Sequence, residues 1–576
     1  MGDNENRKVY KARQVKNYRE MVEYSCKNYA QNIAYKYKKD YTAKNIEYIE
    51  KKYEQVGKDI KAFGTGLLNL DLMGERIVVV GKNRYEWCIS YLATTCSNMV
   101  IVPIDKALPD IEMQRLIERS EAKAIIFDEK YLETVKKVQE KENSNLKTLI
   151  CMDNIQEKGI KTFNEILEEG RNQIKNGDKK YDNIEIDENK MSIMLFTSGT
   201  TNEPKAVMLS QANICANISN IACWVKLYPT DVLLSFLPIH HTFECTITFL
   251  YGFYSGSQVA FCDGLKHIQQ NLKEYKVSVF VAVPLVLETM YKKIQKAIEE
   301  QGKTGLIKKM TKISNTLLKA KIDIRKIVFK QILDNFGGHL RVVLYGAAPM
   351  NKATIIGYNN LGISLVQGYG LTETSPVVTA ETDKEKRPGS IGLALANLNL
   401  KIANPDNEGV GEITVKGPSV MLGYYKNPEE TKKVLKDGWF STGDYGYKDK
   451  DGFVYITGRK KDIIVLKNGK NVYPQEIEFL INKIPYIAES LVYSRDKDTT
   501  DTMLCAKIVY DKDAIKQMIG EKTEEEYKEI IWQEIKKINQ ELPIFKKIKN
   551  ITITTEPLKK TTTQKVKRYE ELKNLT

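Results

Sequence analysis

The sequence predicts an α/β protein of more than one domain: a large amino-terminal part built on doubly wound sheets, a small β-barrel-like part, and a small α+β unit at the end. Three observations carry this. The 576 residues exceed what one hydrophobic core ordinarily serves. Between residues 76 and 152, short β-branched runs alternate with helical text, the pattern of βαβ crossovers in a parallel sheet. From about Gly389 the text changes to short strands and glycines, and it ends in mixed helix and strand.

Residues 13–70 alternate helical text with a strand around Ala34 to Tyr37, and Tyr48 to Leu70 carries helix-period apolar positions. Arg76 to Val80 reads as a strand, Asn83 as the cap of a helix running to about Cys96, and Met99 to Val102 as the next strand. Ala124 to Phe127 and Thr148 to Met152 form a further strand pair around the helical text Tyr131 to Lys141. Residues 170–190 read as a charged surface loop. After a hairpin at 191–210 come a helix, Gln211 to Trp224, and strands at Asp231 to Leu237, Val277 to Val283 and Leu340 to Leu344. The last part has strands near Ser490 to Tyr493, Leu504 to Tyr510 and Ile551 to Thr555, with a helix from about Thr523 to Leu542.

Composition excludes several classes. The formal charge of +14 is spread along the chain with no zinc finger and no RNA-binding aromatic signature, so no nucleic-acid partner is expected. Nine cysteines without a C-x-x-C pair fit reduced thiols and a cytoplasmic protein. The start, MGDNENRKVY, lacks a signal-peptide core, and Asn6 stands where a myristoylation site needs Ser or Thr. The apolar region 232–262 is interrupted by His240, His241, Glu244 and Gly252 and does not read as a membrane span. Segment 301–330 holds eight Lys and one Arg against Asp323. Leu306, Met310, Ile313 and Leu317 fall on one helical stripe there, so it is either a solvated helix face or a peripheral docking face for anionic lipid at the inner membrane surface.

Chemistry concentrates in a few strings. Two apolar strands bracket Thr197-Ser198-Gly199-Thr200-Thr201, with Lys205 behind Pro204; a tip of hydroxyls, close backbone N–H groups and a cation suits a polyphosphate. The alternative is a flexible connector. No Walker A loop and no complete dinucleotide fingerprint competes. LPIHHTFE follows a strand, where an imidazole can sit at a sheet's carboxyl edge. Gly346-Ala347-Ala348 offers backbone against which an adenine ring can lie. In LVQGYGLTETSP, Tyr369 can stack on a purine, Thr372 can bond a phosphate and Glu373 is a hard ligand for Mg²⁺. Asp444, in STGD, can accept both ribose hydroxyls or simply form a turn.

The strings TSGTTNEPK, QGYGLTE, STGD, GRKKD and KTTTQKVKR occur in the order found in the adenylate-forming (ANL) superfamily. The chain closely resembles that superfamily from about Tyr18 to Arg568, and long-chain fatty acyl-CoA synthetases in particular. The resemblance implies the ANL fold, with a large domain at 1–460 and a small mobile domain at 461–576. It implies a two-step reaction: a fatty acid attacks Mg·ATP to give acyl-AMP and pyrophosphate, then coenzyme A displaces AMP. A ligase serving a carrier-protein thiol, or one for aryl acids, has the same strings.

The resemblance also assigns residues. Lys565, Arg459, Glu373 and His241 would be catalytic. Thr197, Ser198, Gly199, Thr200, Thr201, Lys205, Gly346, Ala347, Ala348, Gln367, Gly368, Tyr369, Gly370, Thr372, Asp444, Ile456, Arg459 and Lys565 would bind ATP. Thr197 and Glu373 would hold the metal. Lys467, Asn468, Gly469 and Lys470 would line the coenzyme A channel, and Lys461 would be the hinge. Gln564 departs from the superfamily's usual glycine beside the lysine.

Overall fold

The structure is a computed structural model of the chain, and it describes residues 4–197, 204–466, 470–496, 502–560, 566–573 and 575. Two compact units emerge: Met1–Leu400 with Val415–Phe440, and Lys401–Thr414 with Ser441–Thr576.

The first unit contains two large sheets. In the eight-stranded one, Arg76–Val80 lies between Val100–Pro103 and Ala124–Phe127, and parallel pairing continues through Thr148–Cys151 to Lys161–Thr162. On its other flank Val100–Pro103 meets the hairpin of Met191–Thr197 and Lys205–Ser210, and Gly423–Tyr424 forms the edge. Ile77 to Val80 and Ala124 to Phe127 are all buried, as strands covered on both faces must be. Because the strands next in sequence lie on opposite sides of Arg76–Val80, the crevice beyond its carboxyl end is a topological switch point.

The nine-stranded sheet has a parallel centre, ordered Ser364–Gly370, Val342–Tyr345, Val279–Ala282, Val232–Ser235, Gln258–Phe261 and Ile33–Lys38. Antiparallel strands finish it: Val377–Ala380 and Leu393–Ala394 at one end, Tyr48–Lys52 at the other.

In the second unit, Ile487–Asp496 pairs antiparallel with Thr502–Tyr510, which pairs parallel with Asn550–Thr554. Ile477 and Ile481 of the helix Pro474–Ile481 and Ile531 and Ile535 of the helix Glu524–Glu541 share its core with Val492 and Ala506. A separate antiparallel ladder runs from Asp444↔Arg459 to Lys448↔Val454. The architecture is the mixed α/β one expected, with doubly wound sheets and a small α+β unit.

Three local readings change. Tyr48–Lys52 is an edge strand rather than the start of a helix, which begins at Tyr53; pairing with Ile33–Lys38 overrides the helical spacing of its apolar residues. Asn83 caps no helix: Arg84 stands at the N-cap of Tyr85–Cys96. Residues 170–175 are not loop, because the helix Phe163–Lys175, opened by a Thr162/Glu165 capping box, runs through them. Gly170 lets that helix press on the helix Tyr53–Leu68, since a Cβ there would lie 1.8 Å from the Ala62 carbonyl oxygen.

All nine cysteines are free, seven of them buried. Among the described residues no helix is long and apolar enough to cross a membrane.

Candidate active site

The hairpin pairs in register from Met191↔Ser210 to Thr197↔Lys205. Thr197 and Lys205 therefore stand opposite each other at the base of the tip, and Thr197 Oγ1 donates to the Lys205 carbonyl at 3.4 Å. Ser198, Gly199, Thr200 and Thr201 lie outside the described residues. Behind the hairpin, Ser210 caps the buried helix Gln211–Trp224. Two asparagines of that helix satisfy backbone groups that would otherwise be stranded. Asn213 Nδ2 donates to the Pro418 and Val420 carbonyls at 2.7 and 3.0 Å. Asn217 Nδ2 donates to Val377 O at 2.8 Å. The segment after Glu373 and the segment before Tyr424 are thus fixed to the same helix that follows the hairpin.

On that frame, a hydroxyl and two charges meet. Tyr424 OH donates to Glu373 Oε1 at 3.0 Å, and the Lys205 ammonium stands 5.0 Å from the centre of the Tyr424 ring. Lys205 Nζ donates to Glu430 Oε2 at 2.6 Å, and Lys433 Nζ to Glu430 Oε1 at 2.5 Å. Hydrogen bonds from Lys205, and then from Lys433, hold the Glu430 carboxyl down at about 2. Burial, then the neighbouring Glu373, pushes the Tyr424 phenol up, so it remains a donor at neutral pH. None of this was visible in the sequence. Tyr424 and Glu430 belong to text that carries no motif of its own, and their partners lie 51 and 225 residues away.

Glu373 fits a hard cation: it is a half-buried carboxylate in the 3₁₀ turn Thr372–Thr374, oriented by a phenol that does not neutralise it. Changing Tyr424 to Phe is expected to raise the Mg²⁺ concentration needed for half-maximal adenylation by about 10-fold, within the range seen when outer partners of metal ligands are lost. A Mg²⁺ titration of initial rates measures it, and a drop in rate at every Mg²⁺ concentration alike would make Tyr424 a packing residue.

Tyr345 and Gln367 are register partners on adjacent parallel strands, and Tyr345 OH donates to Gln367 Oε1 at 2.9 Å. That pairing brings Gly346, Ala347 and Ala348 beside Gly368, Tyr369 and Gly370. Contact is close: a Cβ on Gly346 would lie 2.6 Å from the Gly368 carbonyl oxygen, and one on Gly370 1.8 Å from that of Pro376. Ala347 takes φ +72°, and with Ala348 it is exposed beyond the strand end.

The LPIHH loop is pinned by Asn83. Its Nδ2 donates to Ser235 Oγ at 2.9 Å and to the Leu237 carbonyl at 2.7 Å. His240 is buried and His241 half-buried, with ring centres 4.1 Å apart. Burial, then His241 and Lys106, pushes the His240 imidazole well below its usual range. Glu244 opens a π-helical segment, Glu244–Leu250, and accepts from Thr248 Oγ1 at 2.8 Å. Burial raises its carboxyl from 4.5 to about 8. A raised acid binds its proton more tightly folded than unfolded, so stability falls as pH rises between those values. Glu244→Gln should remove that fall, on the order of 5 kcal/mol over the window. Melting temperatures of both proteins from pH 5 to pH 9 test it, and parallel curves would contradict it.

In the second unit, Arg459 Nε lies 3.0 Å from Asp444 Oδ1 across the antiparallel ladder. Asp444 is buried, and its amide donates to Thr442 Oγ1 at 3.1 Å. Ile456 is 39% exposed on the same ladder. Lys461 sits in the 3₁₀ turn Lys460–Asp462. Leu466 N donates to the Lys470 carbonyl at 2.9 Å, while Lys467, Asn468 and Gly469 lie outside the described residues. So does Lys565. Its flanks are held: Lys560 and Val566 form an antiparallel bridge, and Arg568 donates to Glu478 Oε1 at 2.7 Å and Val492 O at 2.6 Å.

A hydroxyl-flanked cation on a hairpin and an oriented carboxylate beside a glycine-lined strand end define the frame of an adenylate-forming enzyme. The chain belongs to the AMP-binding enzyme family, whose model matches residues 22–425, with the C-terminal domain of AMP-binding enzymes matching 461–575. It is an AMP-forming acid–thiol ligase, similar to long-chain fatty acyl-CoA ligases.

It is 30% identical to long-chain-fatty-acid–CoA ligase 5 of Mus musculus over 551 residues, covering 88% of this chain and 79% of that one. It is 28% identical to a chloroplastic long-chain-fatty-acid–acyl-carrier-protein ligase of Arabidopsis thaliana over 563 residues, covering 85% and 76%. Among solved structures, an anthranilate CoA ligase in complex with anthranoyl-AMP superposes with a TM-score of 0.76 at 18% identity, covering 98% of each chain. A fatty acyl-CoA synthetase of Mycobacterium tuberculosis superposes with 0.65 at 21% identity, covering 97% and 98%.

Proposed function

We propose that the protein is a long-chain fatty acyl-CoA synthetase. The observation that carries the adenylation half is the network that joins Lys205 of the hairpin to Glu373 through Tyr424. In this reading Lys205 and the hydroxyls of 197–201 take the phosphates, and Gly346 to Ala348 with Tyr369 take the adenine. Asp444 takes the ribose hydroxyls and Arg459 a ribose or phosphate oxygen. Glu373, with Thr197, holds Mg²⁺, whose charge neutralises the pyrophosphate leaving group. Lys565 contacts the oxygens that gain charge as the acid attacks. The loop 467–470 serves the thiol. The mobile domain starts at 461, where the C-terminal family model also begins.

The long chain is supported by the name of the mouse relative, and the Arabidopsis relative favours a second acceptor, a carrier-protein thiol. Pyrophosphate exchange with acids of graded length, followed by addition of coenzyme A or a phosphopantetheinylated carrier protein, separates these. Exchange with no acid at all would refute adenylation. Exchange with aryl acids only would refute the fatty-acid reading.

Long-chain acids reside in lipid surfaces, and segment 301–330 is built to meet one. The helix Thr304–Lys319 buries only Ser314. Its apolar stripe is wider than its buried face, leaving Leu306 53% and Ile313 42% exposed beside Lys309 and Lys312. Apolar residues in solvent next to lysines are the composition of a helix that lies in an anionic interface. Replacing both Leu306 and Ile313 by Ser should lower the affinity for phosphatidylglycerol vesicles, read by cosedimentation, by about 10²-fold, the loss expected from removing two buried aliphatic side chains at about 1.5 kcal/mol each. Turnover of a short soluble acid should be unchanged. Equal binding of both proteins would return the helix to an ordinary solvated face.

A further inference from the structure

Two loops converge at the carboxyl edge of the first unit's sheets, one after Val100–Pro103 and one after Val232–Ser235. They bring Asp105, His240 and His241 together, with one ligating atom from each within 4.8 Å of the others. Among the described residues no other three His, Cys, Asp or Glu side chains meet at that spacing.

Geometry within the cluster is odd for a hydrogen-bonded pair. Asp105 Oδ2 stands 3.6 Å from His240 Nε2, too far for a good hydrogen bond. His240 is 8% exposed, and its Nε2 is buried with no hydrogen-bond partner. A buried polar atom in that state calls for an explanation. The spacing supplies one: metal–ligand bonds of about 2.0–2.1 Å at tetrahedral angles put neighbouring ligand atoms about 3.3 Å apart. The carboxylate and the imidazole already stand close to the separation of two ligands on one ion.

We propose that Asp105, His240 and His241 bind a borderline divalent transition-metal ion, with zinc the best fit. Two imidazole nitrogens and one carboxylate oxygen form a three-ligand set that leaves a fourth position for water. Ligand chemistry narrows the choice of ion. The set holds a single carboxylate, whereas Mg²⁺ and Ca²⁺ depend on several oxygen ligands. An ion that bonds imidazole nitrogen well gains from both histidines.

The consequence concerns the enzyme's own chemistry. The resemblance to acyl-CoA synthetases makes His241 catalytic, so an ion bound to it would reversibly inhibit adenylation. That consequence rests on the proposed function, whereas the binding does not.

Untagged full-length protein, stripped by chelator, is titrated with Co²⁺ as a spectroscopic probe and then with Zn²⁺. The expected result is a ligand-field absorption that saturates at one equivalent, is abolished by Zn²⁺, and lacks the thiolate charge-transfer band that any of the cysteines would add. Asp105→Asn should weaken zinc binding at least 10-fold, and His240→Gln should do the same independently. Each variant's thermal melt shows whether it is folded, and if one is not, the other carries the comparison. Absence of the absorption, its persistence in both variants, or a thiolate band would overturn the site. Zinc binding without inhibition of pyrophosphate exchange would overturn the assigned role of His241 and leave the site standing.

Discussion

Lys565→Ala should slow acyl-AMP formation by about 10²–10³-fold, the loss seen when one preorganised charge-stabilising donor is removed from a transition state. Thioester formation from supplied acyl-AMP should stay close to the wild-type rate. The asymmetry follows from the chemistry. Negative charge accumulates on the α-phosphate oxygens as the carboxylate attacks, and a fixed ammonium is stabilising only while that charge is developing. Attack of a thiol on a preformed acyl-AMP places the growing charge on the acyl carbonyl instead. The ends of the segment that carries Lys565 are anchored, by the Lys560↔Val566 bridge on both sides of it and by Lys507 Nζ on Glu571 at 2.7 Å beyond. Removing the Lys565 side chain should leave these anchors in place. Single-turnover rates of each half-reaction decide the matter: an equal loss in both would make Lys565 a structural residue.

What the sequence made legible was what neighbouring residues determine. The hairpin at 191–210, the helix Gln211–Trp224 and the parallel strands follow from local alternation and composition, and the structure has them within a few residues. The motif glycines were legible too, because close backbone approach at Gly346 and Gly370 admits no side chain. The rest depends on partners far along the chain. Asn83 looks like a helix cap, yet its side chain serves Ser235, 152 residues away. Glu430 looks like surface charge in a run of acids and lysines, yet it pairs with Lys205. Glu244 looks like a polar break in an apolar stretch, but it is fully buried in a site that holds it protonated. Asp105 has no motif at all, and only the fold sets it against His240. Local text picks out the groups proposed to touch nucleotide; the groups that orient them are set by packing.

Lys461→Pro should divide the two half-reactions in the opposite sense from Lys565→Ala. Acyl-AMP should form and accumulate, while its conversion to thioester slows on the order of 10²-fold, the cost of misplacing reacting groups by about 1 Å. Lys461 lies in a single 3₁₀ turn between the strands Val454–Arg459 and Ile464–Val465, and it is exposed. Both of its neighbours are tethered, Lys460 Nζ to Glu412 at 2.8 Å and Asp462 to Gln475 Nε2 at 2.7 Å. A residue between two tethered ones is where a change of backbone dihedrals disturbs the fewest contacts. Proline fixes its own φ near −65° and disfavours helical φ/ψ at Lys460 as well, so the substitution restricts two residues of the three in the turn. Lys461→Ala keeps that freedom while removing the ammonium, and it should hold turnover within about 3-fold, as a surface substitution does. If the proline variant turns over as fast as the alanine variant, the dihedral change that exchanges one half-reaction for the other does not occur at Lys461. If both are equally slow, it is the ammonium and not the backbone that the reaction needs there.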